Sequence, residues 1–272
     1  VEVVAGLRNL RVALVLGLAL AVIVPSVALA GGQAVPNDRL PDLRMAKLYN
    51  VQIRTTSTGR KKLRFGTIVY NVGDGPLEVR GRARSGREMG EIYQWIADDQ
   101  GGGREVLNPR ARMFYSGDGH NHWHVQGFIH MQLWRKGSPA TTRKLKKIGF
   151  CLVDLRQWSK PLPNTPAVRA YPGSVCGVQS TQTIGPPTRD KGMGISVGWG
   201  DDYEPQFTHQ AIDITGLPKG TYRLCATANA SWLWAEKGNN HANNYFWYDL
   251  SLNPAKSRFT ILSKGRTACP AP

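Results

Sequence analysis

Acidic residues are the clearest shortage in this sequence. Nineteen Asp and Glu stand against 35 Lys and Arg, a formal charge of +16 at pH 7. A chain so basic attracts polyanions over a Debye length of ~8–10 Å. No nucleic-acid-binding motif accompanies the charge, so anionic surfaces or wall polymers are the expected partners. Cysteine is scarce too: four residues, none in a C-x-x-C pair, which argues against a thiolate metal centre. Apolar runs at helical spacing are rare, which excludes a helical bundle. Repeats and low-complexity tracts are absent. The only long apolar run is Val12 to Val24, well short of the ~20 residues that cross a bilayer.

That run has the order of a secretory leader. Arg8 and Arg11 precede it, Pro25 breaks it, and Ala28-Leu29-Ala30 forms an A-x-A cleavage signal. The expected organisation is a signal peptide over 1–30, a polar linker over 31–39 and one domain over 40–272. The expected location is secreted, with no transmembrane segment after cleavage. Removing Arg8, Arg11 and Glu2 lowers the formal charge of +16 by one. Export suits disulfides. Pairing each cysteine with its nearest partner in sequence gives Cys151–Cys176 and Cys225–Cys269.

Alternation dominates the rest of the chain. Leu63, Phe65, Thr67 and Val69 alternate with Arg64, Gly66, Ile68 and Tyr70, and a turn at 71–76 leads to a returning strand over 77–80. His122 to Trp134 alternates again, followed by a basic stretch over 135–147 that reads as a solvated hairpin. Phe150 to Asp154, Thr221 to Thr227 and Asn244 to Leu252 read as further strands. Residues 156–200 read as mostly irregular. The fold class is all-β: an antiparallel β-sandwich with long loops and little helix.

Four of the six histidines fall at even positions in one short stretch: His120, His122, His124 and His130. Residues i, i+2 and i+4 of a strand share a face. Three imidazoles on one face are not an ordinary core, because a buried imidazole needs polar partners. They make a metal site on His120, His122 and His124. In a straight strand the outer two Cα atoms would lie ~13 Å apart, near the limit for one ion. A bend near His120 is therefore expected, and Gly117-Asp118-Gly119 would permit it. His130 is expected on the same face but too far along to be a ligand. Neutral imidazoles suit Zn, Cu, Fe or Ni, and ligand type alone leaves zinc hydration chemistry and copper redox chemistry both open.

The string from Asp118 to His124, with Phe128, His130 and Leu133, resembles the copper-binding segment of the lysyl oxidase family. Other strings follow in that family's order: Leu63-Arg64-Phe65 with Asn71-Val72-Gly73, Phe150 to Asp154, Gly194-Ile195-Ser196, Asp201-Asp202-Tyr203, Gln210 to Thr215, Leu217 to Tyr222, and Asn243-Asn244. Each string is weak alone; together they span roughly residues 40–252. The chain departs from the animal enzymes in carrying Trp199 and His209 where those have Cys.

The resemblance implies a copper ion on His120, His122 and His124. It also implies a lysine tyrosylquinone made from Tyr203 and the lysine four residues before Cys151, which is Lys147; Lys146 is the choice in the neighbouring register. The implied activity is oxidation of primary amines, peptidyl lysine or small amines, to aldehydes with release of ammonia and hydrogen peroxide. A carboxylate must remove a proton, and Asp201, Asp202 and Asp213 are the candidates. Competing readings on the same histidines are a secreted zinc lyase or hydrolase, which needs neither Lys147 nor Tyr203, and a non-catalytic metal-binding wall protein. A structural binding module without metal is a further alternative.

Overall fold

The structure is a computed structural model that describes residues 37–116, 121–145, 147–177, 182–185, 192–207, 209–239 and 241–269. The expected leader (1–30), His120 and Lys146 lie outside the described residues. Nineteen strands lie among the described ones. The first nine are β1 (Asp38–Arg39), β2 (Leu43–Met45), β3 (Tyr49–Thr55), β4 (Lys61–Asn71), β5 (Leu77–Ser85), β6 (Glu88–Asp98), β7 (Gly103–Leu107), β8 (Met113–Tyr115) and β9 (Trp123–Gln126). Then come β10 (Ile129–Arg135), β11 (Ser138–Lys144), β12 (Gly149–Phe150), β13 (Arg156–Gln157), β14 (Met193–Ile195), β15 (Trp199–Tyr203), β16 (Ala211–Asp213), β17 (Gly220–Ala228), β18 (Tyr245–Asn253) and β19 (Arg258–Gly265). Helix is confined to short 3-10 turns at Gly173–Cys176 and Lys237–Asn239. The chain is all-β.

The strands form three antiparallel sheets. The largest runs β12-β9-β8-β6-β5-β14, with β1 and β7 also on β6. A second runs β11-β10-β17-β18-β19. In the third, β4 is the spine: β2 and β15 pair with its second half, β3 and β16 with its first. Strand parity explains the packing. Leu63, Phe65 and Val69 of β4 are wholly buried, while Lys62, Arg64 and Tyr70 on the opposite face are not. One hydrophobic cluster draws on all three sheets, from Leu43 and Phe65 through Trp123, Phe128 and Phe150 to Tyr222, Tyr248 and Leu252. Burial of such side chains contributes ~1.5–3 kcal/mol each and holds the sheets together.

Several expectations need correction. A strand lies inside the expected linker, since Asp38 and Arg39 pair with Asp98 and Ala97 of β6. The alternating run from His122 to Trp134 is two strands in two sheets. Gly127 breaks it at φ +72°, a conformation that favours glycine, and β10 then leaves for the second sheet. Parity therefore does not carry through to His130, which faces a different neighbourhood from His122 and His124. Of Phe150 to Asp154, only Gly149–Phe150 is strand. β6, β15 and β19 went unread.

Cys151 pairs with Cys176 and Cys225 with Cys269, Cα–Cα 6.0 and 6.3 Å. Among the described residues no helix is long and apolar enough to cross a membrane.

Candidate metal and redox site

β9 is the floor of the site. Trp123 and Val125 point into the core with no exposure, so His124 projects from the other face, and His122 lies one residue outside the strand on the same side. The two Nε2 atoms face each other at 2.7 Å, with ring centroids 4.5 Å apart. His124 is buried and meets Phe114 edge-on at 5.6 Å. The backbone turns sharply just after residue 120, where Asn121 takes φ +49°, and the His122 carbonyl accepts the Ser116 N–H at 3.0 Å. Among the described residues no group of three His, Cys, Asp or Glu is placed to hold a metal ion. The described part of the expected ligand set is the pair.

Two nitrogens bound at ~2.0–2.1 Å to one ion stand ~2.9 Å apart at a right angle and ~3.4 Å apart at a tetrahedral angle. At 2.7 Å the two rings are at direct hydrogen-bond distance, and a small outward movement of either would let both hold one ion.

β12 connects this pair to the second half of the site. Gly149 pairs with Gln126 and Phe150 with Val125. A Cβ on Gly149 would stand 2.8 Å from His124 Cβ, 2.9 Å from His124 Nδ1 and 2.6 Å from Phe114 Cζ. The bare backbone of Gly149 is what lets the strand lie against the imidazole. On the other side, the Phe150 ring meets Tyr203 edge-on at 5.1 Å. The segment leading into β12 is pinned at both ends: Leu145 N–H to the Met131 carbonyl at 2.9 Å, and Gly127 N–H to the Ile148 carbonyl at 2.8 Å. Between these pins, Lys147 holds its Nζ over the Tyr203 ring, 5.0 Å from the centroid, and 5.4 Å from that of Phe150.

Tyr203 is on a strand, the last residue of β15. β15 pairs with β4 from Gly200↔Tyr70 to Tyr203↔Thr67. From behind, Asp202 accepts hydrogen bonds from the Tyr49 hydroxyl and from Arg156 Nε (2.7 Å). A sheet ladder and an ion pair hold this segment. The Tyr203 hydroxyl donates to the Cys151 carbonyl at 3.0 Å. Burial first, then the adjacent Asp201 carboxylate, push the phenol pKa well above its ordinary value.

The three carboxylate candidates separate cleanly. Asp213 is at the surface, ion-paired to Arg60 and to Lys62 (2.9 Å), and these partners together with Thr215 outweigh partial burial and hold its pKa far below the usual range. Asp202 is occupied by Tyr49 and Arg156. Asp201 is buried beside Tyr203 and within the field of Lys147. Neither of its oxygens has a geometrically sound hydrogen bond among the described residues. Burial raises its pKa well above the carboxylate range, opposed by the Tyr203 phenol and the Lys147 charge.

Other motif residues turn out to build the scaffold. Asn71 donates to the Gly75 and Ile195 carbonyls and accepts from Asp42 and Gly73 N–H. Asp154 accepts from Ala170, Tyr171 and Ser196 N–H and from the Ser196 hydroxyl. Asn244 donates to the Ala228 carbonyl and to Glu236. Sequence reading missed Gly149, whose only signal was its place beside Phe150. A cavity of about 620 Å³ lies elsewhere, against Trp232, His241, Tyr245 and Arg266.

Compared with known proteins, the chain matches no family model and no curated protein.

Proposed function

We propose that this chain is a secreted copper-dependent amine oxidase of lysyl oxidase type, whose redox cofactor is a lysine tyrosylquinone made from Lys147 and Tyr203. The observation that carries the reading is the placement of the Lys147 amine over the Tyr203 ring at 5.0 Å. A zinc hydrolase or a passive metal-binding protein has no use for that pairing. Zinc has no redox chemistry to offer the Lys147–Tyr203 pair, whereas copper does, and imidazoles suit either ion. His120 completes the ligand set in this reading.

Copper, when bound, supplies electron transfer to O₂, and the quinone supplies an electrophilic carbonyl for a primary amine. The chain's own residues do the rest. His122 and His124 bind through Nε2, so each must carry its proton on Nδ1. The Cys151 carbonyl orients the Tyr203 phenol, and Phe150 packs its edge and excludes water. Lys147 stands with its amine facing the Tyr203 ring, 5.0 Å from the ring centroid, which is where the amine of the cross-link would come from. Asp201 is the base. Its burial makes it basic for a carboxylate and it stands beside Tyr203, where it can take a proton from a bound substrate. The amine can be peptidyl lysine or a small amine.

The test is copper-loaded protein assayed for peroxide release with primary amines, beside a Tyr203→Phe variant. The reading expects amine-dependent peroxide from the native chain and none from the variant. A variant that still oxidises amines, or a native chain that takes up only zinc and releases no peroxide, contradicts it.

A further inference from the structure

A second concave site gathers cations. Arg60, Lys62, Arg143, Lys144, Ala211, Asp213 and Thr215 line a cavity of about 470 Å³. Three elements supply them: the start of β4, the end of β11 and β16. Parity on β4 turns Lys62 and Arg64 outward, since Leu63 and Phe65 occupy the buried face. Register then extends the row sideways. Arg54 of β3 stands opposite Lys62 on one side and Asp213 of β16 on the other.

The charges do not balance. Four cations line the cavity against a single carboxylate, and that carboxylate is already used: Asp213 is ion-paired to Arg60 and Lys62 and accepts the Thr215 N–H at 2.9 Å. Arg143 and Lys144, exposed on the opposite wall, have no ion-pair partner among the described residues. Like charges brought together around a concavity raise the local potential, and an anion entering it relieves the repulsion. The row also runs on past the cavity through Arg54, which favours a chain of anions over a single one.

We infer that this cavity and the adjoining β3–β4 face bind an acidic polysaccharide, whose carboxylate or sulfate groups lie against Arg60, Lys62, Arg143 and Lys144. The lining selects this class. It has no aromatic side chain, so it lacks the stacking platforms that single-stranded nucleic acid uses. Ala211 and the Thr215 methyl are its only small apolar groups and the rest of its apolar lining is the stems of the cationic side chains, so it lacks the aromatic and aliphatic pockets in which protein partners concentrate binding energy. What remains is charge and hydrogen bonding. Binding here requires no metal and no quinone. It would hold the protein on an anionic matrix.

The experiment titrates the full chain, without added copper, with polygalacturonate (carboxylate), heparin (sulfate), polyglutamate and single-stranded DNA at an ionic strength of about 0.15 M. Two charge-reversal variants are compared: Arg143→Glu/Lys144→Glu, and Arg258→Glu/Lys264→Glu on exposed β19. Both lower the net charge equally, and a thermal melt confirms that each folds. The site predicts binding of polygalacturonate or heparin, weakened at least about tenfold by the first pair with a shallower salt dependence, and little changed by the second. The two polysaccharides tell the carboxylate source from the sulfate source. Equal weakening by both pairs would overturn the site in favour of overall charge. Tighter binding of polyglutamate or DNA than of either polysaccharide would overturn the ligand class, and no binding of any polyanion would overturn both. An inactive oxidase that still shows the pair-specific loss separates this inference from the oxidase reading.

Discussion

Replacing Gly149 by Ala should loosen metal binding without unfolding the protein. The added Cβ would stand 2.6 Å from Phe114 Cζ and 2.9 Å from His124 Nδ1, against an ordinary contact of at least ~3.4 Å. Relief requires β12, Phe114 or the imidazole to move by roughly half an ångström or more. Overpacking of that kind costs ~1–3 kcal/mol of stability. Metal–ligand distances tolerate only about ±0.2 Å, so an imidazole moved that far weakens the ion by roughly 10–100-fold, the range for disturbed supports of ligands. The backbone of Gly149 is not in the left-handed region, so the effect comes from volume alone. Gly173→Ala is the control, since nothing lies within 4 Å of its added Cβ. Copper competition against a chelator, with circular-dichroism melting of the apo-protein, separates affinity from stability. Metal affinity in Gly149→Ala equal to that of Gly173→Ala would refute the argument that β12 positions His124.

Two further outcomes follow from the same geometry. Asp201→Asn should lower kcat by ~10²–10⁴ with the metal retained. In the native chain the base must be ionised, and burial raises its pKa, so activity should climb with pH through a limb above the ordinary carboxylate range, a limb absent in the variant. The linkage has the opposite sign for stability. A raised folded-state pKa contributes stability below the unfolded value of 3.8 that is lost as pH rises through the folded one, so Asp201→Asn should melt no lower than wild type at pH 8. A lower melting temperature with unchanged kcat would show Asp201 to be structural. Removing either disulfide, over loops of 25 or 44 residues, should cost roughly 3–4 kcal/mol and lower Tm by about 10 °C. Only Cys151→Ser/Cys176→Ser should also slow Tyr203 modification, because the Cys151 carbonyl holds that phenol; equal modification rates in both variants would contradict this.

The sequence was most legible where one residue does one job. Alternation in β4, β17 and β18 read directly because their buried faces are nearly pure hydrophobic. The even spacing of His122 and His124 read directly as a shared side, and their Nε2 atoms meet. Alternation misled at Gly127, where a single glycine sends the continuing pattern into another sheet. β19 was invisible because almost all of it is exposed, leaving Ile261 and Leu262 without an inward partner to define a period. β15 was hidden because it is buried on both faces and carries two Asp, one neutralised by Arg156 and Tyr49, the other left beside Tyr203. Ranking the three aspartates required those tertiary partners, and no local pattern encodes them. The role of Gly149 likewise depends on His124, a contact made across two strands.

The most direct test of the account is peptide mapping by mass spectrometry of protein matured with copper in air, beside protein kept metal-free. The account predicts that the copper-matured chain yields a cross-linked species joining the Lys147 and Tyr203 peptides, and that the metal-free chain does not. That link would close a long loop and add about 4 kcal/mol of stability by restricting the unfolded chain. Recovery of both peptides unlinked and unmodified after full copper loading would contradict the central claim.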